Sequence, residues 1–356
     1  MKPLARGSTI GILGGGQLGR MLAMAAAKLG YRCHIYAPDD GCVAADVAAQ
    51  FTRAAFDDPQ ALAEFADCCD IITYEFENIP AAPLQKIAGT IGIIPGVAPL
   101  TTAQDRMAEK QFAVQCGGQT TAFLMAENWE EFRAGAAQIG FPAIAKTNRM
   151  GYDGKGQIKL EDNSDLAQAW DDLGQRPVII EALVDFNAEF SVILVRGANG
   201  DIRYWDSARN LHKDGILAQS TVPAGPLVES QIAKARILAG AIAGALDYVG
   251  VMTTEFFATK RGPIFNEMAP RVHNSGHWTI EGAVTSQFEN HIRAICGLPL
   301  GDTATTAERV EMHNLIGKDA DKMARYLSDP GAHVHIYGKS KIQPDRKMGH
   351  VTRLYR

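Results

Sequence analysis

The chain has 356 residues, long for a single hydrophobic core, so two or three domains are expected. Apolar residues make up 46% and charged residues 21%, which excludes a mainly disordered chain, and a formal net charge of -5 gives no electrostatic footprint for nucleic acid. No apolar run reaches the length of a membrane span, no signal-peptide core precedes the first strand, and the six cysteines show no metal-binding spacing. A reduced cytoplasmic protein is the expectation.

The first hundred residues alternate strand and helix. Residues 8–13 read as a buried strand, 17–29 as a helix and 32–37 as a second strand. A helix near 57–66, a strand at 70–76, a helix from Ala81 and a strand at 91–94 complete a βαβαβ rhythm. That rhythm predicts a doubly wound parallel sheet covered on both faces. Residues 94–99 break the pattern as a linker, and a helix is expected over 102–116, stopped by Gly117 and Gly118. Residues 120–184 read as a small α+β unit. From Glu189 to Met268 strands dominate, with a hairpin at Asn199-Gly200 and one helix over 229–246. A helix over 285–296 and a small strand-rich tail follow.

Gly14, Gly16 and Gly19 match G-x-G-x-x-G between a strand and a helix, with Asp39 twenty residues further on. Such glycines admit a phosphate to a helix N-terminus; a nicotinamide dinucleotide and a tight turn without any ligand fit the same residues. Lys146 ends a short strand before the loop Gly151-Tyr152-Asp153-Gly154-Lys155-Gly156-Gln157. A lysine beside three glycines suits contact with phosphates under a closing loop, or else is a solvated lysine on a glycine hairpin. Glu181 closes one apolar strand and Glu189 opens the next; two such acids suit an adenine amino group and ribose hydroxyls.

Residues 252–258 and 263–268 flank the turn-like Thr259-Lys260-Arg261-Gly262, so a β-hairpin is predicted. Folding it there sets Glu255 roughly opposite Asn266 and Glu267. Paired carboxylates on one sheet face repel unless a cation or proton separates them, and hard oxygen ligands suit Mg²⁺. The alternative is two glutamates on opposite faces, one of them solvated. Arg271, His273, Asn274 and Ser275 then cluster anion-binding and proton-transfer groups beside the pair.

Taken in order, Arg106, Lys146, the G-Y-D-G-K-G-Q loop, Glu181, Glu189, Glu255 and N-E-M-A-P-R-V-H-N-S-G-H resemble the ATP-grasp superfamily. Within it the chain resembles the N5-carboxyaminoimidazole ribonucleotide synthetase family of purine biosynthesis. G-G-G-Q-L-G-R-M, Y-E-F-E-N-I-P, N-L-H-K-D-G-I, Y-G-K and R-K-M-G-H extend that likeness over essentially the whole chain. The resemblance implies a ribonucleotide-binding domain over 1–100, an ATP-grasp domain over 101–297 with a lid near 119–183, and a small strand-rich domain over 298–356.

It also implies an ATP-dependent carbon–nitrogen ligase that attaches bicarbonate, through carboxyphosphate, to the amino group of 5-aminoimidazole ribonucleotide. By motif, Arg106 and Lys146 would hold phosphates and residues 151–157 would form the lid. Glu181, Ala182, Leu183 and Val184 would face adenine, Glu189 the ribose, and His212 would line the nucleotide site. Glu255 and Glu267 would hold Mg²⁺ with Asn266 beside them; the asparagine some relatives carry two residues later is Ala269 here. Arg271 and His273, with Lys339, would be the catalytic groups. Gly16, Gln17, Leu18, Glu75, Tyr152, Asp153, Asn274, Ser275, Lys339 and Arg346 would bind the ribonucleotide, Lys339 and Arg346 clamping its 5′-phosphate. Relatives imply a homodimer. Rival readings are an ATP-grasp ligase with another substrate, an NAD-dependent oxidoreductase and a nucleotide sensor. His291, His313, His333 and His335 read as structural.

Overall fold

A computed structural model describes residues 2–151 and 156–356. The chain begins with β1 (Thr9–Leu13), α1 (Gln17–Lys28), β2 (Arg32–Ala37), β3 (Gln50–Arg53), α2 (Pro59–Asp67), β4 (Ile71–Tyr74) and α3 (Ala81–Ile87). The four strands form a parallel sheet in the order β3-β2-β1-β4. Each of β1, β2 and β4 is buried along nearly its whole length, as helices on both faces require. The expected strand at 91–94 is reduced to an isolated parallel bridge, Ile72 with Ile93. Pro95 has no N–H to continue a ladder. The strand the periodicity overlooked is β3, whose Q-F-T-R lies at the exposed sheet edge and carries no apolar alternation.

The linker expected at 94–99 runs into α4 (Val97–Ala103), and α5 (Arg106–Gln115) follows it, so the single helix expected at 102–116 is two. The break has a local cause: Asp105 is extended, and its carboxylate accepts from the N–H of Ala108 at 3.0 Å, capping a new helix. This cap sets the direction in which Arg106 and Lys110 leave the chain.

A second antiparallel sheet, ordered β5-β8-β6-β7, comes from β5 (Phe123–Ala126), β6 (Ala143–Thr147), β7 (Gln157–Leu160) and β8 (Val178–Ala182). It packs α6 (Trp129–Ile139) and α7 (Leu166–Asp172) around Phe132 and Trp170.

The large sheet has nine strands: β9 (Ala188–Arg196), β10 (Ile202–Tyr204), β11 (Ala208–Lys213), β12 (Ile216–Val222), β13 (Gly250–Thr259), β14 (Gly262–Ala269), β15 (Arg309–Ile316), β16 (Ala332–Ile336) and β17 (Lys347–Tyr355). Its order is β14-β13-β9-β11-β12-β15-β17-β16, with β10 on β9. The strand-rich tail therefore continues this sheet through β12 and β15. The helix expected at 229–246 is α8 (Pro226–Glu229) followed by α9 (Ile232–Ala245). After the short α10 (Thr279–Gly282), α11 (Gln287–Ile295) carries Phe288 and Ile292 into a buried cluster that also holds Leu22 and Ile35. The salt bridge Lys28–Glu289 at 2.8 Å closes the edge of that contact. One apolar cluster thus joins the parallel sheet to the large sheet, and the ends of β1, β4, β13 and β14 converge. Helix α12 (Met323–Leu327) completes the chain's helices among the described residues, and no helix there is long and apolar enough to cross a membrane.

Candidate active site

The hairpin forms as its sequence demands. Glu255 on β13 is the cross-strand partner of Glu267 on β14, and the register then shifts so that Phe256 faces Phe265. Asn266 is the extra residue of a β-bulge, which sets two consecutive residues of β14 against Glu255. Burial, and then the charge of Glu267, push the Glu255 carboxyl up to about 7. Glu267 moves the other way: burial opposes its charge, but Arg106 and Lys146 outweigh it. Arg106 Nη1 lies 3.2 Å from Glu267 Oε2. The Asn266 Oδ1 is buried and, among the described residues, accepts no hydrogen bond. Two opposed carboxylates and an uncommitted amide oxygen are hard donors that fit a divalent cation.

Lys146 reaches this region from β6 and Glu181 from the adjacent β8, their Nζ–Oε2 distance 3.0 Å. A second ammonium, Lys110 from α5, lies 3.1 Å from the other oxygen of Glu181 and 3.1 Å from the carbonyl of Asn266. Glu181 is thus a buried carboxylate between two lysines. Glu189 is likewise engaged, by His212 Nδ1 across the β9–β11 pair. Burial works against a charged His212, yet the bond to Glu189 and the nearby Glu255 raise its pKa. Ala182 is the last residue of β8, and Leu183 and Val184 follow it directly.

Beyond β14 the chain turns through Arg271 to Ser275. Arg271 is held by Glu77 of the segment after β4: Nη2 donates to Oε1 at 2.6 Å and Nε to Oε2, while Nη1 donates to the Val272 carbonyl at 3.0 Å. His273 is fixed through its backbone, whose N–H and C=O both bond the Gln287 amide at 2.9 and 2.7 Å. Its Nδ1 accepts from the Ser275 N–H at 3.3 Å and lies 2.8 Å from Ser275 Oγ. The ring proton therefore sits on Nε2. Burial first, then the charges of Arg271 and Lys347, hold His273 well below the ordinary histidine range, so it is neutral. Asn274 exchanges amide bonds with Asn314 at 2.9 and 2.7 Å, an anchoring role.

The glycine motif is filled from within. Glu75 Oε1 accepts from the N–H of Gly16 at 2.7 Å and Oε2 from Gly19 at 3.3 Å, capping α1 with the chain's own carboxylate. A Cβ at Gly14 or Gly16 would stand 2.6 or 2.9 Å from Glu75 Oε1. The position a dinucleotide pyrophosphate would take is therefore occupied by a side chain. Beside it lies a cavity of about 500 Å³ lined by Gly16, Gln17, Asp39, Cys42, Lys339 and Arg346 among others. Lys339 donates to the Lys347 carbonyl at 2.7 Å and lies over the Tyr337 ring. Leu18 is buried in α1. Arg106 also donates to the Gly151 carbonyl at 3.2 Å, and Gly156 and Gln157 carry the chain back into β7. Tyr152, Asp153, Gly154 and Lys155 lie outside the described residues.

Lys110, Glu77 and Lys347 are groups to which the motifs assign no role, although Glu77 lies within Y-E-F-E-N-I-P and Lys347 within R-K-M-G-H. Lys110 lies one helical turn from Arg106 on the same face, the one local signal available. Nothing in the sequence tells of its burial. A small antiparallel sheet brings Lys146 and Glu181 against the acidic hairpin at the edge of the large sheet, and a parallel α/β domain packs on that large sheet through a shared apolar cluster. That is an ATP-grasp protein. The ATP-grasp domain family matches residues 111–288, the ribonucleotide synthetase preATP-grasp domain residues 7–104, and the phosphoribosylaminoimidazole carboxylase C-terminal domain residues 311–356.

The chain belongs to the N5-carboxyaminoimidazole ribonucleotide synthase family. It is 49% identical over 354 residues to the Brucella melitensis N5-carboxyaminoimidazole ribonucleotide synthase, covering 99% of this chain and 97% of that protein. The Staphylococcus aureus synthetase complexed with ADP superposes with a TM-score of 0.95 at 35% identity, covering 100% of this chain and 95% of that one. The Aspergillus clavatus synthase in complex with ADP and 5-aminoimidazole ribonucleotide superposes with a TM-score of 0.91 at 28% identity, covering 98% and 94%.

Proposed function

We propose that this protein uses ATP to carboxylate the amino group of 5-aminoimidazole ribonucleotide with bicarbonate, releasing ADP and phosphate in purine biosynthesis. The observation that carries the reading is the cross-strand pair Glu255–Glu267, set beside Arg106, Lys110 and Lys146 on one side and Arg271 and His273 on the other. Acidic groups for a cation and basic groups for a polyphosphate are what phosphoryl transfer requires, since its catalysis is mostly positioning and charge neutralisation. Glu255 and Glu267, with Asn266, would hold Mg²⁺, which when bound neutralises charge on the phosphates of ATP.

Arg106 and Lys146 would receive phosphate oxygens, each exchanging a carboxylate partner for the nucleotide, while Lys110 would keep Glu181 compensated. Arg271 and the neutral His273 face the same space; an arginine suits bicarbonate and carboxyphosphate, and an imidazole with Nδ1 tied presents Nε2 to a reacting group. Lys339 and Arg346, lining the cavity at Gly16 and Gln17, suit the 5′-phosphate of the ribonucleotide. Glu75 borders the same cavity through Gly16 and is suited to meet the imidazole. Residues 151–157 would close over the site and exclude water from a labile acyl phosphate. A cytoplasmic location agrees with its free cysteines.

The test is ADP release by purified protein given Mg-ATP, bicarbonate and 5-aminoimidazole ribonucleotide. Release that falls to background when either co-substrate is omitted is the expected result. Release indifferent to both would reject the assignment.

A further inference from the structure

We propose that Glu77 is a positioning residue for the carboxylation: it fixes the guanidinium of Arg271 edge-on, so that two N–H groups at its far end form the fork that orients bicarbonate and its phosphorylated form. The inference rests on the reading of Arg271 given above and adds a residue that acts only through it.

A guanidinium carries five N–H donors in one plane. Three are committed here: Nε to Glu77 Oε2, one N–H of Nη2 to Glu77 Oε1, and one N–H of Nη1 to the Val272 carbonyl. One N–H remains on each terminal nitrogen; with the Cδ-side proton of Nη1 given to Val272, the two left over point together from the far end, and their spacing matches two oxygens of a planar or tetrahedral oxyanion. Without Glu77 the lateral edge, Nε with Nη2, would offer a second and equally good fork, and the anion could sit in the wrong place.

Glu77 is itself held firmly. The amide of Gln104, at the end of α4, donates to the carbonyls of Glu77 and Ile79 at 2.7 and 2.6 Å. The carboxylate thus comes from the ribonucleotide-binding side and the arginine from the end of β14. The pair ties the place where the amine is presented to the place where the carboxyl donor is made. Side-chain exposures of 14% for Arg271 and 25% for Glu77 leave the pair shielded yet open on one side. Because Glu77 cancels the arginine charge, the anion is held by direction more than by net field.

The test measures steady-state kinetics of Glu77→Ala and Glu77→Gln beside the parent, each with a thermal unfolding midpoint. Losing an oriented charge-assisted contact is expected to raise the KM for bicarbonate roughly tenfold to a hundredfold. The KM for ATP stays within about twofold, and more ADP is released per carboxylated product. Glu77→Gln keeps the volume and one acceptor, so it falls between parent and Glu77→Ala, and it substitutes for the alanine variant should that one not fold. In an Arg271→Lys background, where no lateral fork exists, Glu77→Ala adds less than about twofold. An unchanged KM for bicarbonate and unchanged ADP-to-product ratio in folded variants would overturn the inference. So would a full effect of Glu77→Ala in the lysine background. A parent enzyme whose ADP release ignores bicarbonate would instead reject the functional reading itself, before any variant is compared.

Discussion

Lys110 Nζ lies 3.1 Å from Glu181 Oε1, and the two side chains are only 2% and 5% exposed. Burial lowers the pKa of Lys110, working against its charge, although Glu181 draws it upward. A buried charge loses hydration that its partner must replace, so breaking such a pair by removing one member costs about 3–5 kcal/mol. Lys146 still compensates Glu181 in a Lys110→Met variant, which places the expected loss near the low end, about 3 kcal/mol. Urea unfolding measures it, and a midpoint equal to the parent's would contradict the role given to the pair. Its KM for ATP should also rise, because Lys146 can no longer leave Glu181 freely.

The opposed carboxylates predict a separation of stability from activity. Glu267→Gln keeps the hairpin and its register, so thermal unfolding without nucleotide should shift by only a few degrees. ADP release should fall about 10²–10³-fold, the usual loss on removing one charge-stabilising group. Chelating divalent cations with EDTA should abolish turnover in the parent and restore it on adding Mg²⁺. A Glu267→Gln enzyme with near-normal turnover would remove this residue from the chemistry.

His291 gives a pH prediction remote from the site. Its Nδ1 accepts from the N–H of Val251 at 3.1 Å and its Nε2 pairs with Thr73 Oγ1 at 2.9 Å, so a second ring proton would face a donor. Burial presses its pKa down to about 3, against an ordinary 6.5. The unfolded chain then binds a proton that the folded chain refuses as pH falls from 6.5 toward 3. Stability is full above that window and declines within it, by about 1.4 kcal/mol per pH unit for this group. Denaturant unfolding of His291→Gln at several pH values should show a shallower decline than the parent; identical slopes would exclude the histidine as a contributor.

Gly14 has φ +114° and an added Cβ would stand 2.6 Å from Glu75. Gly14→Ala should therefore displace the cap of α1 and cost about 1–3 kcal/mol in backbone strain alone. Calorimetric titration should show weaker binding of 5-aminoimidazole ribonucleotide with ADP affinity retained. Equal loss of both ligands would mean that the glycine supports the whole fold and not this cavity.

Local chemistry is legible in one dimension. Periodicity places β1, β2, β4 and the hairpin because each buries or alternates its apolar residues whatever surrounds it. The spacing from Glu255 to Glu267 follows from the turn at Lys260 and Arg261, so the opposed pair is readable before any coordinates. Two elements are not legible this way: the Asp105 cap that splits the helix at 102–116 turns on one polar side chain, and the edge strand Gln50–Arg53 carries no apolar signal.

What the chain order alone determined, then, was the fold class, the acidic hairpin and the ordered motifs that place it in its family. Tertiary structure alone decided that Glu75 fills the glycine turn, that Lys110 stands behind Glu181, and that Glu77 reaches Arg271 from 194 residues away. The reason is physical: hairpin contacts are made by neighbours in sequence, whereas desolvation and charge pairing depend on which distant surfaces the core brings together. A lysine in a helix reads as a solvated surface group until the packing of that helix against a sheet removes its water.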